Sequence, residues 1–474
     1  MVFNSLQYAL FLPLVLVLYW RLRRRGQNAL LLVASYIFYA AFDWRFLGLL
    51  VLSTVLDYWF GLALDRTPEG GPRTKWLIAS LVVNLGILGV FKYLNFFVDS
   101  LQRVLSRLGL DYTAPALRVL LPIGISFYTF HGISYVFDVY RGHIRSTKNL
   151  LDYSVFVAFF PQLVAGPIGR ATLQLPQFEN DRVAPDREQR RSALFLILLG
   201  LFKKVVIADG VAGVANSAFA IPGQASSVSL LLGAYAFSLQ IYGDFSGYSD
   251  IARGSARLLG VELPLNFTEP YLSRNITEFW RRWHISLSNW LRDYLYLPLG
   301  GNRGSELATY RNLFLVMLIG GLWHGASWTF VIWGGLHGVA LGAHRYWSRR
   351  RAGRDLAAPD DAGTTALLSR LLTFHLVTAL WIVFRAPSFD AARSYAQGLL
   401  EFRSGAVNLD DALVVVVGLA ATLTIDLLQR RVRRLGPIVV DRRPLLRDVG
   451  IGSAVVALIV LSGGVPVPFI YFQF

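Results

Sequence analysis

The chain has 474 residues, of which 54% are hydrophobic, with a mean hydropathy of +0.46 and a formal net charge of +16. This composition predicts a membrane protein with many spans and argues against a soluble enzyme with a large core. There is no cysteine, which excludes disulfides, a thiol nucleophile and acylation of a cysteine on this chain. Arginine-rich loops facing anionic lipid explain the positive charge better than nucleic acid does, so no nucleic-acid partner is expected.

Apolar windows of about 20 residues predict about 11 or 12 membrane-spanning helices in one all-α domain over residues 1–474. They lie near residues 6–20, 28–42, 46–64, 76–98, 118–137, 192–208, 228–247, 311–329, 331–346, 366–385, 411–429 and 448–465. Residues 150–165 are also apolar, but Pro161, Gly166 and Pro167 interrupt the segment or follow it closely. We expect a re-entrant or interfacial element there, because broken backbone at membrane depth is tolerated where protein buries it.

The distribution of charge predicts the orientation of these spans. Four arginines within residues 21–25 follow the first span, an order typical of a membrane helix that ends in the cytoplasm and not of a cleavable signal peptide. With the N-terminus outside, 36 of the 46 Lys and Arg residues fall in cytoplasmic loops and 7 in outer loops. Lys203 and Lys204 do not fit this arrangement, and they indicate that the span beginning near residue 192 is shorter or shifted.

Residues 261–310 form the longest predicted cytoplasmic stretch, yet they are rich in Trp, Tyr and Leu. Trp280, Trp283, Leu287 and Trp290 recur at the spacing of one helix face. We predict an amphipathic helix below the membrane bundle that brings His284 to the inner mouth of a cavity. The alternative is an interfacial anchor helix with aromatic residues at the level of the lipid headgroups.

His324 lies in an apolar run, Leu313 to Trp333, that contains no other ionisable side chain. An ionisable residue at membrane depth is a functional candidate, since its burial in hydrocarbon is costly. A neutral histidine can act as a general base. The alternative is a packing histidine satisfied by a backbone carbonyl.

Several other chemistries lack support in the sequence. There is no Gly-x-Ser-x-Gly motif for a covalent acyl-enzyme and no phosphate-binding loop for an ATP-driven transporter. No His-Glu-x-x-His or His-x-x-Glu-His pattern occurs, so we expect no metal site. His131, His143, His337, His344 and His375 are interpreted as packing or interfacial residues.

Several long motifs follow one another in a fixed order. They are Phe160–Ile168, Tyr242–Asp250, Phe279–Trp290, Leu291–Gly301, Leu322–Trp328 and Phe469–Phe474. Together they resemble the membrane-bound O-acyltransferase family, in particular its bacterial branch that acetylates alginate. The resemblance implies a polytopic fold around a central tunnel. It also places the family's catalytic histidine at His324 and a second, cytoplasmic-side position of the family at His284.

The resemblance also implies substrates and partners. The donor would be acetyl-CoA or another cytoplasmic acyl thioester, with no tightly bound cofactor. The acceptor would be an extracytoplasmic polysaccharide, reached through a partner acetyltransferase of the SGNH type, at the inner membrane of a bacterium. We expect Trp323 and Trp328 to line the tunnel. Candidate donor-binding residues are Arg281, Arg282, Asn289 and Asp244.

Three other functions remain open at this point. A D-alanyl transfer protein for teichoic acids would take its acyl group from a carrier protein. A transporter or flippase for a lipid-linked glycan would share the polytopic layout and broken helices. A non-catalytic scaffold would also share them. His324 separates the transporter and the scaffold from an acyltransferase, because only an acyltransferase needs a general base there.

Overall fold

The computed structural model describes residues 1–110, 118–352, 363–435 and 469–470. These residues are mostly helical and contain no β-strand, which confirms the all-α prediction for the part described. The predicted span near 448–465 and residues 471–474 of the terminal motif lie outside the described residues.

The chain divides into two compact units. The first comprises Met1–Ile197 and Ile251–Pro264, and the second comprises Leu198–Asp250 and Leu265–Phe474. Two helices contribute residues to both units. The prediction of one domain over residues 1–474 stays a prediction.

The first unit is built from helices that cover most of the first 200 residues. They are α1 (Leu6–Tyr19), α2 (Arg24–Asp43), α3 (Leu47–Arg66), α4 (Gly71–Leu88), α5 (Leu94–Arg107), α6 (Ile125–Tyr140), α7 (Leu150–Ala158), α8 (Phe160–Leu163), α9 (Ala171–Glu179) and the start of α10 (Arg187–Leu201). A π-helical turn, Gly89–Tyr93, joins α4 to α5 without a break. The spans predicted from the sequence therefore correspond to helices here, except that residues 118–124 of the span near 118–137 precede α6 and are not helical.

The segment predicted to be interrupted is broken in the structure. Helix α7 ends at Ala158, and the four-residue helix α8 begins at Phe160. The backbone N–H of Phe160 donates a 3.0 Å hydrogen bond to Ser35 Oγ, which satisfies one amide freed at the break. Both short helices are buried apart from Leu150 and Leu151 at the start of α7. Protein therefore covers the broken backbone, as the sequence predicted.

The second unit contains the motifs Tyr242–Asp250, Phe279–Trp290, Leu291–Gly301 and Leu322–Trp328 and the helices that follow. It begins within α10, and its further helices are α11 (Asp209–Ala220), α12 (Ser227–Leu258), α13 (Ile276–Arg282), α14 (Ile285–Leu291), α15 (Glu306–His324), α16 (Trp328–Ala352), α17 (Thr364–Arg385), α18 (Phe389–Leu400) and α19 (Leu409–Leu435). Two π-helical segments, Phe202–Ala208 and Arg292–Tyr296, continue α10 and α14.

Among the described residues, four helical stretches are long and apolar enough to cross a membrane, by length and composition. They are Arg24–Arg66, Gly71–Arg107, Thr364–Arg385 and Leu409–Arg433. The first has 43 residues, about twice the roughly 20 residues that one crossing needs. The protein is thus a multi-pass membrane protein, while the total of about 11 or 12 spans and the central tunnel stay predictions.

Candidate active site

His324 is the last residue of α15, where a tight turn reverses the chain into α16. Gly325 has an extended backbone, and the N–H of Ser327 donates to the Gly325 carbonyl at 3.0 Å. The ring of Phe330 lies where a Cβ at residue 325 would be, so this close approach requires glycine. The predicted span 311–329 is therefore wrong at its end: the helix stops at His324 because the Gly-Ala-Ser sequence forms a turn.

Aromatic rings surround His324. The side chain is 6% exposed, and the rings of Trp323, Trp333 and Phe384 lie 5.0, 5.2 and 5.5 Å from its ring centroid. All three meet the imidazole edge-on, with interplanar angles of 76–89°. Such walls exclude water from the imidazole.

His284 lies in the break between α13 and α14, with a left-handed backbone at φ 43°. The prediction of one continuous amphipathic helix across Trp280–Trp290 is therefore wrong. The predicted apolar face was more accurate than the predicted continuous helix, since Trp283, Leu287 and Trp290 are all buried. Tertiary hydrogen bonds stabilise the break, since Ile285 N–H donates to the Asn266 carbonyl at 2.9 Å and Thr268 N–H to the Arg282 carbonyl at 3.0 Å.

The His284 ring is fully buried. It meets the ring of Phe245 edge-on at 4.6 Å, and its Nδ1 lies 3.0 Å from Asn266 Oδ1. Burial lowers the pKa of His284 to about 3, because the charged imidazolium would lose its hydration. His284 is therefore neutral at ordinary pH, and a neutral imidazole offers both a donor and an acceptor.

One indole links the two histidines. The ring centroid of Trp323 lies 5.0 Å from that of His324 and 6.0 Å from that of His284, and the Trp323 side chain is 4% exposed. The structure thus brings together three residues that the sequence singled out. Trp328 differs, since it is 46% exposed at the first position of α16. Their catalytic and tunnel-lining roles stay predictions.

A third histidine stands at the edge of the aromatic cluster. His337 on α16 is fully buried, and its ring lies 4.6 Å from that of Trp333. The indole Nε1–H of Trp280 donates to His337 Nδ1 at 3.1 Å. These contacts agree with the interpretation of His337 as a packing residue.

The basic candidates for donor binding have different surroundings. Arg281 is exposed, whereas Arg282 donates to Glu278 Oε1 at 2.6 Å and lies 3.9 Å from Glu269. Asn289 is partly buried on α14. Of the two arginines, Arg281 is the one whose side chain is open to a polyanion from solution.

Asp244 on α12 is 2% exposed and forms part of a buried polar cluster. Its Oδ1 lies 3.1 Å from Lys204 Nζ, and its Oδ2 accepts the backbone N–H of Ile470 at 2.7 Å. Phe469 packs beside it, with its ring 4.8 Å from that of Tyr248. Two segments far apart in the sequence, the motif Tyr242–Asp250 and residues 469–470 of the terminal motif, therefore meet here. A donor-binding role for Asp244 stays a prediction.

The two lysines that did not fit the predicted span are buried ion-pair partners. Lys203 Nζ lies 2.8 Å from Asp250 Oδ2, and Lys204 Nζ lies 2.8 Å from Asp209 Oδ1. The helix is not shortened at this point, because carboxylates compensate both charges and the chain continues as the π-helical segment 202–208. Adjacent lysines in an apolar run were the sequence signal for this cluster, but the spacing could not reveal their partners.

A small pocket adjoins this cluster. Its polar lining comprises Lys203, Tyr242, Ser246, Thr422 and Asp426. The hydroxyl of Tyr242 donates to Asp426 Oδ1 at 2.8 Å, which ties α12 to α19. In the part of the chain that the structure describes, no group of three or more His, Asp or Glu side chains could hold a metal ion.

Comparison with known proteins gives the family. Residues 139–357 match the sequence profile of the membrane-bound O-acyltransferase family. The chain is 48% identical to a probable alginate O-acetylase of Azotobacter vinelandii over 402 residues, 84% of this chain and 77% of that protein. The chain belongs to the membrane-bound O-acyltransferase family. The resemblance inferred from the motifs is confirmed, and the protein is an O-acyltransferase of the membrane.

Two further relatives show how the similarity varies with the acyl group named for each. A peptidoglycan O-acetyltransferase of Helicobacter pylori is 38% identical over 82% of this chain and 78% of its own length. A teichoic acid D-alanyltransferase of Bacillus subtilis is 27% identical over 56% of this chain and 69% of its own length. The similarity is therefore greater to these O-acetylating relatives than to this D-alanylating one.

Proposed function

We propose that this protein moves an acetyl group from a cytoplasmic thioester, acetyl-CoA, across the membrane for O-acetylation of an extracytoplasmic polysaccharide. His324 is the general base. The observation that carries the proposal is the placement of His324 and His284 against the same buried indole, Trp323, inside an aromatic enclosure. The greater similarity to relatives named for alginate and peptidoglycan O-acetylation supports acetyl over D-alanyl as the acyl group.

The reaction is transfer of an acyl group from sulfur to oxygen. The acceptor hydroxyl oxygen forms a bond to the thioester carbonyl carbon while its proton passes to the His324 imidazole. The carbon–sulfur bond then breaks, and the imidazolium returns the proton to the thiolate. Atoms and protons balance without an additional reactant. The buried rings of Trp323, Trp333 and Phe384 keep water from competing with the acceptor.

The central test is His324→Ala. The variant should lose the base-labile acetate of the cell-surface polysaccharide, because a positioned base contributes about a hundredfold or more to the rate. His143→Ala is the matched control, since the His143 side chain is 55% exposed in the first unit. Protein level and melting temperature must match the parent in both variants. Near-parental ester content in His324→Ala would contradict the general-base mechanism.

Transfer across the membrane requires an acceptor on the outer side. With the N-terminus outside, arginine-rich loops face the cytoplasm, where thioester donors are made, and the exposed Arg281 attracts the phosphates of CoA. We place the protein in the inner membrane of a bacterium, with a partner acetyltransferase of the SGNH type that completes transfer to the polymer. A flippase or scaffold would need no base at residue 324.

Reconstitution separates the relay from a self-sufficient enzyme. Purified protein in vesicles with acetyl-CoA inside should leave added polysaccharide without ester until an SGNH partner is supplied outside. Full acetylation by this chain alone would rule the relay out while leaving the acyltransferase chemistry intact. Replacing acetyl-CoA with a D-alanyl carrier protein tests the donor. Transfer of D-alanine but not acetate would favour the teichoic acid alternative.

A further inference from the structure

One buried amide fixes the orientation of His284. Asn266 is fully buried on the connection between α12 and α13, in the same unit as His284. Its Oδ1 lies 3.3 Å from the backbone N of Ser286, 2.9 Å from Ser286 Oγ and 3.0 Å from His284 Nδ1. Its Nδ2 donates to Ser249 Oγ at 3.1 Å. All four contacts lie within the second unit.

These contacts assign the proton on the imidazole. The backbone N–H of Ser286 can only donate, so the Asn266 atom facing it must be the amide oxygen. An amide oxygen can only accept, so His284 Nδ1, which faces the same oxygen, must carry a proton. In a neutral imidazole the other nitrogen, Nε2, then holds a lone pair. Among the described residues, His284 Nε2 is buried and has no hydrogen-bond partner.

We propose that Asn266 is a positioning residue that holds His284 as the Nδ1–H tautomer and leaves Nε2 as a hydrogen-bond acceptor for the reaction. The effect of this positioning on catalysis rests on the proposed function, whereas the assignment of the tautomer does not. With Nε2 as acceptor, His284 takes a hydrogen bond from a hydroxyl, amide or thiol group of the substrates. It cannot donate through that atom to a carbonyl oxygen.

The backbone supports this assignment. The left-handed conformation of His284 is uncommon for a residue other than glycine. It persists here because Asn266 holds three consecutive parts of the break: the His284 ring, the Ile285 N–H through its backbone carbonyl, and the Ser286 N–H and hydroxyl. Strained backbone that its surroundings hold in place is found most often where a side chain has a functional orientation.

His337 supplies an internal contrast. Its Nδ1 accepts from Trp280 Nε1–H, so in neutral His337 the proton is on Nε2. Two fully buried histidines of the same unit are thus expected to be opposite tautomers. Among the described residues, no hydrogen bond joins Asn266 to the Trp280 indole or to His337.

The direct test is nitrogen NMR on the full-length protein, labelled at the imidazole nitrogens and reconstituted in lipid. Spectra of His284→Gln and His337→Gln assign the two signals. The parent should show His284 protonated at Nδ1 and His337 protonated at Nε2. A parent spectrum with His284 protonated at Nε2 would overturn the proposal, whether or not any Asn266 variant folds.

Two variants at residue 266 test the cause. Asn266→Asp keeps an acceptor oxygen and should preserve the Nδ1–H tautomer, while Asn266→Ala removes the acceptor and should change the His284 signal. The His337 signal should stay unchanged in both. An unchanged His284 signal in Asn266→Ala would show that another group sets the tautomer.

Kinetics test the consequence for catalysis. Asn266→Ala should lower kcat by about tenfold to a hundredfold, at or below the lower end of the roughly 10²–10⁴-fold that a positioned acid or base contributes, with a smaller change in KM. Asn266→Asp should recover most of the loss. Unchanged kcat in Asn266→Ala with an altered tautomer would overturn the positioning role. Retained activity in His324→Ala would instead overturn the proposed function and leave the tautomer result standing.

Discussion

The indole of Trp323 lies against the imidazole of His284, with the two ring centroids 6.0 Å apart. Trp323 immediately precedes His324 in the sequence, and the His324 ring lies 5.0 Å from the same indole. A short segment near the end of α15 therefore contacts the break between α13 and α14. The position of one catalytic candidate depends on the packing of the other.

Truncation of this indole should impair the reaction. Trp323→Ala removes the contact between the two histidines and opens space for water, so we expect acetylation to fall by about a hundredfold, as misplacement of catalytic groups does. Trp323→Phe keeps a ring and should retain most activity. The measurement is ester formed per amount of purified protein, since loss of a buried Trp also destabilises the fold by about 3–5 kcal/mol.

Trp347→Ala is the matched control for this prediction, because Trp347 on α16 is 64% exposed. It should retain parental activity and stability. Equal specific activity of Trp323→Ala and Trp347→Ala would mean that the shared indole contact has no role in catalysis.

Burial of neutral His284 predicts a dependence of stability on pH. Its pKa is lowered from 6.5 to about 3 by burial, so between these values the unfolded state binds a proton that the folded state does not. The protein should therefore lose stability as pH falls below about 6.5, by roughly 2 kcal/mol from this group between pH 7 and 5. Above pH 7 the contribution of His284 does not change with pH.

His284→Asn is the variant that tests this dependence. Asparagine tolerates the left-handed backbone and keeps a donor near Asn266, but it does not titrate. Melting temperatures between pH 5 and 8 should fall less steeply on acidification in His284→Asn than in the parent. Parallel curves of melting temperature against pH in the parent and the variant would show that His284 is not neutral in the folded state. The comparison uses slopes, so a constant loss of stability does not affect it.

The sequence predicted the helices better than the places where they break. Long apolar windows located most described helices, because burial in lipid selects length and composition. The break at His284 was missed, since helical periodicity continues through Trp283, Leu287 and Trp290 on both sides of it. The local conformation there is set by hydrogen bonds with Asn266 and Thr268, which lie outside the periodic segment.

The candidate site was predicted in part for a similar reason. His324 was identified by its isolation in an apolar run, and His284 mainly by family resemblance. Asn266 has no signal in the single sequence, because an asparagine beside Pro264 and Phe267 is typical of a loop. Its role depends on three hydrogen bonds to residues 284 and 286, and these exist only in the folded chain.

The buried pair of Lys203 and Asp250 should show strong energetic coupling. Their Nζ and Oδ2 atoms are 2.8 Å apart, and the side chains are 6% and 12% exposed. Lys203→Met leaves a carboxylate buried beside an apolar side chain and should cost about 3–5 kcal/mol. The double variant Lys203→Met with Asp250→Asn should recover part of that loss. A double-mutant cycle on unfolding in detergent measures the coupling, and additive effects would contradict a buried ion pair.

The close packing of α15 on α16 should be sensitive to the addition of one methyl group. A Cβ on Gly334 would overlap the Met317 carbonyl oxygen and come within 3.0 Å of the Gly321 backbone. Gly334→Ala must therefore push apart the two helices that form the turn after His324. We expect a loss of about 1–3 kcal/mol, typical of overpacking, together with reduced acetylation.

Gly335→Ala is the neighbouring control. A Cβ at Gly335 would meet the nearest side-chain atom, Leu318 Cδ1, at 3.5 Å, an ordinary contact. Alanine is also favoured over glycine inside a helix by about 1 kcal/mol, so this variant should melt at or above the parental temperature with unchanged activity. Melting temperature and ester content of the two adjacent variants give the comparison. If Gly334→Ala and Gly335→Ala behave alike, contact between the α15 and α16 backbones does not set the position of His324.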